Sequence, residues 1–255
     1  MKTLGVILAR GGSKSIPMKN LASINKQPLI AYTIIEAIKS SHLDELIVSS
    51  DSETILTTAL QYGAKVVRRP SELSGDTAKP IECIQHAVNA YENATNQKNK
   101  FQFIVELLCT NPFKTSFDID NVIIKQKSTL ADSVIAVMPL EDHHPIRIKQ
   151  ICGDKIRDFC LPEIPESRRQ DLKPAAFIRN GSIYSMRRDM MEAGIRYGTD
   201  DSRAYIMPRE RTVNIDEPMD LVIADILMGK APREDVTPLM THKAALAKLD
   251  KELIE

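Results

Sequence analysis

The chain has neither an excess of one charge nor a long apolar run. Its 255 residues include 34 lysines and arginines against 34 aspartates and glutamates. No global field therefore favours nucleic acid or an anionic membrane, and any anion binding must come from local clusters. No segment approaches the roughly 20 apolar residues of a membrane-spanning helix, and the N-terminal apolar run is too short for a signal-peptide core. We expect a soluble, cytoplasmic protein with no nucleic-acid or membrane partner.

Cysteine is also scarce. The four cysteines, at 83, 109, 152 and 160, form no C-x-x-C pair and have no zinc-like spacing with the five histidines. This usage argues against a zinc site and is typical of reduced thiols in a cytoplasmic protein.

Glycine is limited to ten residues, yet two of them stand together directly after the apolar run at 4–9. The run predicts a buried strand, and paired glycines let a backbone approach an anion closely. The pattern is neither a P-loop nor G-x-G-x-x-G, and the plain alternative is a turn with solvated lysines. The cations nearby favour a polyphosphate guest, and the candidate loop consists of Arg10, Gly11, Gly12, Ser13, Lys14 and Lys19.

Strand and helix patterns alternate through the first half of the chain. Continuous apolar strands separated by helices predict an α/β fold with a doubly wound, mostly parallel, Rossmann-like sheet. Ligands bind at the carboxyl ends of such strands, where Asp51, Arg69 and Thr110 join the glycine loop. The predicted strands are 4–9, 45–51, 65–68, 103–108 and 132–137, and the predicted helices are 28–39, 53–62, 78–91 and about 118–127.

The pattern changes near residue 139, where prolines and short alternating segments begin. We predict a core of residues 1–138 and 175–229, interrupted by a small inserted dimerisation subdomain at 139–174. The core is expected to close with a strand in TVNID, then Asp216 and an amphipathic helix. Residues 230–255 predict a polar linker and a final helix that could dock or dimerise.

Five segments occur in an order that resembles one enzyme family. They are ILARGGSKSIPMKNL, RRPSELSGDTA, EDHHPIRIK, RRQDLKPAAFIRNGSIY and VNIDEPMDL. Together they resemble the acylneuraminate cytidylyltransferases, or CMP-sialic acid synthetases, which join CTP to a nine-carbon 2-keto sugar acid and release pyrophosphate. The resemblance covers residues 3 to about 229.

Nucleotidyl transfer needs a triphosphate cradle, a metal and an in-line nucleophile. The glycine loop supplies the cradle, with Arg10 and Lys19 as catalytic cations. The resemblance implies that Asn20 and Arg69 lie near the cytidine. It also implies a base pocket that includes Asp76, Thr77 and Ala78, although Asp76 is also placed to cap a helix.

The resemblance makes Asp216 the candidate ligand for Mg²⁺ or Mn²⁺, because a carboxylate at a strand end suits a metal shared with phosphate oxygens. A helix cap is the alternative, since DEPMDL opens a helix. Many relatives carry a second aspartate where this chain has Asn214. Its amide oxygen can still ligate magnesium or hold a bound water.

The sugar site is implied by the resemblance alone. It contains Arg147, Arg169, Asn180 and Tyr184, with solvated charge and core packing as the alternatives. Relatives show LLQPTSPLR where this chain shows ELLCTNPFK, so Leu108 replaces a glutamine that touches the sugar. The sugar is therefore expected to differ from ordinary N-acetylneuraminate.

We thus expect a magnesium-dependent, homodimeric cytidylyltransferase that takes CTP and a nonulosonic acid for cell-surface polysaccharide. Two alternatives stay open at this point. One is a CMP-KDO-type synthetase that uses an eight-carbon acid. The other is a nucleotide-binding regulator that has lost catalysis.

Overall fold

A seven-stranded sheet with helices on both faces forms the body of the protein. The computed structural model describes residues 1–141, 143–230 and 237–254. The strands are β1 (Lys2–Leu8), β2 (Ser23–Ile24), β3 (Gln27–Pro28), β4 (Glu45–Ser50), β5 (Lys65–Arg68), β6 (Phe101–Leu107), β7 (Ser133–Pro139), β8 (Lys149–Cys152), β9 (Lys155–Asp158), β10 (Phe177–Arg187) and β11 (Ser202–Ile206). The helices are α1 (Leu29–Lys39), α2 (Glu53–Gln61), α3 (Pro80–Ala94), α4 (Ser116–Thr129), α5 (Arg188–Glu192), α6 (Pro218–Lys230) and α7 (His242–Glu252).

The main sheet has the strand order β11-β7-β10-β6-β1-β4-β5. Only β10 runs antiparallel to its neighbours, β6 and β7, and the other pairs are parallel. The doubly wound, mostly parallel fold predicted from the sequence is confirmed. The carboxyl ends of β1, β4, β5 and β6 consequently meet at one edge.

Alternation along the strands divides the interior into two cores. Leu4 and Val6 of β1 face the core beneath α3, whereas Ile7 faces the larger core with α1, α2 and α4. Successive side chains of a strand point to opposite faces. A strand covered on both faces therefore reads as one unbroken apolar run.

The end of the chain packs on this body. Ala245 and Leu249 of α7 are buried against the larger core, and the amide of Arg68 donates to the carbonyl of Ile254 at 2.6 Å. The final helix therefore docks, and the residues after it cover the open edge of β5, a position that otherwise invites pairing with another chain. Most of the predicted polar linker lies in residues 231–236, outside the described residues.

The strand predicted in TVNID is wrong. Residues 212–216 have no ladder partner, and the amide of Ile215 donates instead to the carbonyl of Thr110, in the loop after β6, at 2.7 Å. The sheet ends instead in β11, an edge strand that the sequence analysis did not identify. Two neighbours already pair with β6, so residues 212–216 find no open strand edge there.

The predicted insert contains a hairpin formed by β8 and β9. Its two-residue turn begins with Gly153 at φ +68°, a left-handed conformation that favours glycine. The insert exposes a set of large apolar side chains, namely Ile148, Ile151, Ile156, Phe159, Leu161 and Ile164.

Among the described residues, no helix has the length and apolar character needed to span a membrane.

Candidate active site

Two adjoining cavities lie at the carboxyl ends of β1, β5 and β6. The first, here called the deep cavity, has a volume of about 440 Å³, and the second, the cationic cavity, about 350 Å³. Leu8, Arg10, Asn20 and Thr110 line both, so the two are continuous. The deep cavity is also lined by Arg69, Leu73, Gly75, Asp76, Ala78, Pro80, Cys83, Glu106, Leu108 and Cys109, and the cationic cavity by Ser13, Lys14, Ser15 and Lys19.

Asp76 pairs with the cations of the loop after β1. Its carboxylate accepts from Arg10 Nη1 at 2.9 Å and lies 2.7 Å from Lys14 Nζ. The hydrogen bonds from Lys14 and Arg10 hold the pKa of Asp76 below its usual range. Asp76 does not cap α3, whose first turn has no side-chain cap and begins at Pro80. Thr77, predicted beside it, is exposed and lies outside the cavity lining.

The glycine turn differs in detail from the expected anion cradle. The amide of Gly11 donates to Asp51 Oδ1 at 2.9 Å, so it does not point at an incoming ligand. A Cβ at Gly11 would lie 3.1 Å from the Cβ of Ser52, which explains the glycine by close approach to the end of β4. Gly12 has open space around it, so its amide is the remaining backbone candidate.

Arg69 is a buried cation with unused donors. It is 5% exposed, and its Nε and Nη2 have no hydrogen-bond partner among the described residues. The carboxylate of Asp51 is the nearest counter-charge, 4.0 Å from Nη2. Buried donors without acceptors are costly, and they normally have a partner. Since Arg69 lines the deep cavity, an acceptor-bearing ligand there would provide one.

Asp216 lies next to Lys19, which lines the cationic cavity. Its carboxylate lies 3.1 Å from Lys19 Nζ and accepts from Asn214 Nδ2 at 2.5 Å. The side chain that accepts from the amides at the start of α6 is Asp220, which bonds the amides of Asp216 and Glu217 at 2.9 and 2.8 Å. Asp216 is therefore not the cap, and its carboxylate pairs with a lysine of the cavity lining.

The residues around Asp216 suit a magnesium ion that keeps most of its oxygen ligands from water and phosphate. Among the described residues, the buried Oδ1 of Asn214 has no hydrogen-bond partner and lies on the Gly181 side of the amide, whereas Nδ2 contacts the carboxylate. A turn of this amide would bring its oxygen to a metal at Asp216. Within the described parts of the chain, no three His, Cys, Asp or Glu side chains form a metal cluster.

The predicted sugar residues fall in different places. Asn180 and Tyr184 line a separate cavity of about 400 Å³ together with Asn214, here called the β10 cavity. Arg169 lies elsewhere, 3.2 Å from Glu141. Arg147 donates to the carbonyl of Ser167 within the insert and lines none of the cavities described here. Within one chain, the sugar role of these two arginines stays a prediction.

Leu108 lines the deep cavity, and a buried lysine fixes its backbone. Lys114 Nζ donates to the carbonyls of Leu108 and Asn111 at 2.7 and 2.5 Å. Burial raises the pKa of the neighbouring Cys109 thiol to about 12. This thiol is therefore not a nucleophile at neutral pH.

Two candidate functional residues of this region were not identified from the sequence, namely Glu106 and Arg196. Glu106 is an acid inside the otherwise apolar strand β6, and its carboxylate is paired with Arg196. An ionisable side chain in a strand that is covered on both faces was the available signal.

Comparison with known proteins agrees with this geometry. A family model described as "Cytidylyltransferase" matches residues 4–222. The chain is 32% identical to a pseudaminic acid cytidylyltransferase of Campylobacter jejuni subsp. jejuni serotype O:23/36 (strain 81-176), over 89% of this chain and 96% of that protein. It is 28% identical to an N-acylneuraminate cytidylyltransferase of Escherichia coli O18:K1:H7 (strain RS218 / NMEC), over 92% of this chain and 54% of that protein. The chain thus spans about half the length of that second relative.

Among solved structures, the fold is similar to that of a CMP:2-keto-3-deoxy-manno-octonic acid synthetase complexed with CTP. The TM-score is 0.65 at 18% identity, and the match covers 91% of this chain and 100% of that one. At this identity the likeness shows the fold alone. Taken with the family model and the relatives, the chain belongs to the cytidylyltransferase family, in its acylneuraminate cytidylyltransferase branch.

Proposed function

We propose that the protein is a magnesium-dependent enzyme that joins CTP to a nonulosonic acid and releases pyrophosphate. The observation that carries the proposal is Arg69, a buried guanidinium in which two nitrogens have no hydrogen-bond partner among the described residues, in a cavity continuous with one lined by Lys14 and Lys19. The deep cavity suits a base and ribose beside Arg69 and the sugar acid beside Leu108, and the cationic cavity suits a triphosphate. Family membership supports the reaction type.

The cations of the first loop bind the triphosphate in this proposal. Arg10 and Lys14 now share the carboxylate of Asp76, and phosphate oxygens replace or join that partner when CTP binds. Ser13 and the Gly12 amide donate to the same oxygens. Asn20 and Arg69 contact the cytidine, beside Ala78 in the deep cavity.

Asp216 and Asn214 would hold the metal. A bound Mg²⁺ would supply positive charge beside the phosphates and would stabilise the negative charge that develops on their oxygens. Lys19 then donates to the phosphate as well as to Asp216, because its ammonium group has three donors and lies on the same side of the cavity.

The transfer itself needs no covalent enzyme intermediate. The anomeric hydroxyl of the acid attacks the α-phosphorus, and the bond between that phosphorus and the bridging oxygen to the β-phosphate breaks. Pyrophosphate leaves, and the hydroxyl proton is lost to solvent or a base. Arg10 and Lys19 are preorganised toward the phosphoryl oxygens, where such donors act on transition-state charge.

The acceptor is proposed to be a nonulosonic acid other than ordinary N-acetylneuraminate. Asn180 and Tyr184 line the β10 cavity, and Leu108 offers no amide to the sugar. Arg147 and Arg169 are proposed to reach the carboxylate of the acid, in a homodimer joined through the insert at 139–174. The exposed apolar side chains of that insert support the dimer, and we place the enzyme in the cytoplasm.

Calorimetric titration of CTP into Arg69→Met protein tests the nucleotide site. We expect the affinity for CTP to fall at least tenfold, because charge-assisted hydrogen bonds are lost. Arg68→Met is the matched control, since Arg68 adjoins Arg69 yet lies outside the cavity lining. Equal CTP affinity in wild type and Arg69→Met would overturn the nucleotide assignment.

A further inference from the structure

Glu106 is a buried carboxylate with one oxygen uncommitted. It is 3% exposed and lines the deep cavity. Arg196 Nε and Nη2 both lie 2.5 Å from Glu106 Oε2. Across residues 1–141, 143–230 and 237–254, Oε1 of Glu106 has no hydrogen-bond partner. An acceptor therefore remains beside the cavity.

Two tyrosine rings pack against the guanidinium group of Arg196. Its guanidinium carbon lies 4.1 Å from the centre of the Tyr184 ring and 5.6 Å from that of Tyr197, distances typical of cation–π contacts. Tyr184 is also the direct register partner of Glu106 across the antiparallel pair β6–β10. Opposed residues in such a pair share one face of the sheet. Glu106, Arg196 and Tyr184 thus form one packed unit, here called the β6–β10 triad.

The triad lies between the deep cavity and the β10 cavity. Glu106 lines the first, and Tyr184 lines the second. Leu108 lies two residues beyond Glu106, directly after the end of β6, and lines the same deep cavity. Both neighbours, Leu108 and Tyr184, are residues we assign to the sugar, whereas the nucleotide candidates come from the loops after β1 and β5.

The charge of the triad is balanced. Burial raises the pKa of the Glu106 carboxyl, and the charge and hydrogen bonds of Arg196 offset only part of that rise. Removing one partner of a buried pair leaves an uncompensated charge, whereas replacing both by apolar residues of similar volume is often neutral for stability. The pair can therefore be removed as a unit in an experiment.

We propose that Glu106 is a specificity-determining residue for the sugar acid, accepting a hydrogen bond from one of its hydroxyl groups, and that Arg196 is the positioning residue for that oxygen. This inference rests on the proposed function. A carboxylate oxygen accepts from a hydroxyl directly, whereas an acetamido group offers its N–H only by bringing its bulkier acyl methyl against the charged pair. The triad therefore favours a hydroxyl over an acetamido group at the contacted carbon. The proposed polar contact at Glu106 lies two residues along the chain from the apolar Leu108.

The test compares pairs of nonulosonic acids that differ only in bearing a hydroxyl or an acetamido group at one carbon. With CTP saturating, kcat/KM is measured for each acid in wild type and in the double variant E106L/R196M. We expect the hydroxyl-to-acetamido ratio to fall at least tenfold for at least one pair, with KM for CTP within twofold of wild type. The double variant E92L/R188M removes another buried pair, whose atoms are 2.8 Å apart, and should leave the ratio unchanged.

Single variants separate positioning from packing. Arg196→Lys keeps the charge and should retain the ratio in part, whereas Arg196→Met should lose it even in preparations that melt at the same temperature. Glu106→Gln keeps the size of the side chain and should show an intermediate ratio. A structural role alone would not change the preference between two acids.

Three outcomes would overturn the inference. An unchanged ratio for every pair in E106L/R196M would make the triad structural. A loss of CTP over UTP discrimination with an unchanged ratio would assign it to the nucleotide. If wild type turns over none of the acids with CTP, the proposed function fails first, and that failure is visible before any variant is made.

Discussion

Lys19 and Asp216 form an ion pair that joins the loop after β1 to the segment before α6. Lys19 Nζ lies 3.1 Å from Asp216 Oδ1 and 3.0 Å from the carbonyl oxygen of Ile215. The proposed phosphate cation and the proposed metal ligand are thus already in contact beside the cationic cavity, which Lys19 lines. Their roles can be separated by mutating each one alone.

Asp216→Ala is expected to weaken the apparent affinity for Mg²⁺. It should also lower kcat at least on the order of 10²-fold, as the loss of a preorganised charge does. Its melting temperature should change little, because Asp216 is well exposed and does not cap α6. A magnesium titration and a melting curve on the same variant check this.

Asp220→Ala is the matched control for Asp216, since Asp220 accepts from the amides at the start of α6. Loss of a cap costs about 1 kcal/mol of stability, with magnesium dependence unchanged. If the two variants showed the reverse pattern, Asp216 would be structural and the metal assignment would be wrong.

Lys19→Ala should lower kcat/KM for CTP on the order of 10²-fold, because we propose that this mostly buried donor binds the phosphates. Its side chain is 15% exposed, whereas that of Lys14 is 80% exposed. Steady-state kinetics of Lys14→Ala, with a solvated charge, should show a much smaller loss. Equal losses in both variants would argue for a general electrostatic effect instead of a specific contact.

A homodimer joined through the insert is expected because Ile151 and Ile156 are 75% and 72% exposed. Stable interfaces bury roughly 1,200 Å² or more in total, and apolar side chains on a small hairpin lack a core of their own. Light scattering at micromolar concentration should give twice the chain mass. Ile151→Asp should give a monomer, and Ile124→Asp, on α4, should not. A monomeric mass for the unmodified protein would contradict the dimer.

Asp118 is expected to stabilise the fold in a pH-dependent way. Burial alone raises the pKa of its carboxyl, but the hydrogen bonds from Arg211 and Thr115 outweigh burial and hold the pKa below its usual value. A lowered folded pKa adds stability that is present above about pH 4, the unfolded pKa, and is lost as the pH falls through the folded pKa.

Asp118→Asn should therefore be less stable than wild type at pH 7, by about 3–5 kcal/mol for a broken buried pair. The difference should shrink below about pH 4. Urea unfolding of both proteins from pH 7 to pH 3 measures it. A difference that stays constant over this range would exclude the carboxylate charge as its source.

Much of the fold could be predicted because the apolar pattern of most segments agrees with the strand or helix that they form. The strand at 65–68 matched β5 in both bounds, and other elements differed from prediction by a few residues at their ends. TVNID misled because Val213 and Ile215 alternate like strand residues. Burial of Ile215 beside Thr110 satisfies that pattern without a ladder. β11 was not predicted because an edge strand is only partly buried, so its alternation of apolar and polar residues is weak.

The site was predictable where its residues follow strand ends in sequence. Arg10, Lys19 and Arg69 all line the two joined cavities. Contacts set by tertiary register were not predictable. The partner of Glu106 is Tyr184, far along the chain, and the Gly11 amide is taken by Asp51 from another strand end.

The most direct test of the central claim is pyrophosphate release by the purified protein with CTP, Mg²⁺ and each of a panel of 2-keto sugar acids, with the product identified by mass. We expect release to depend on both CTP and a nonulosonic acid, and the CMP-sugar to form in equal amount. CTP binding without turnover for every acid would contradict the account and indicate a regulator. Turnover restricted to the eight-carbon acid would contradict the proposed acceptor.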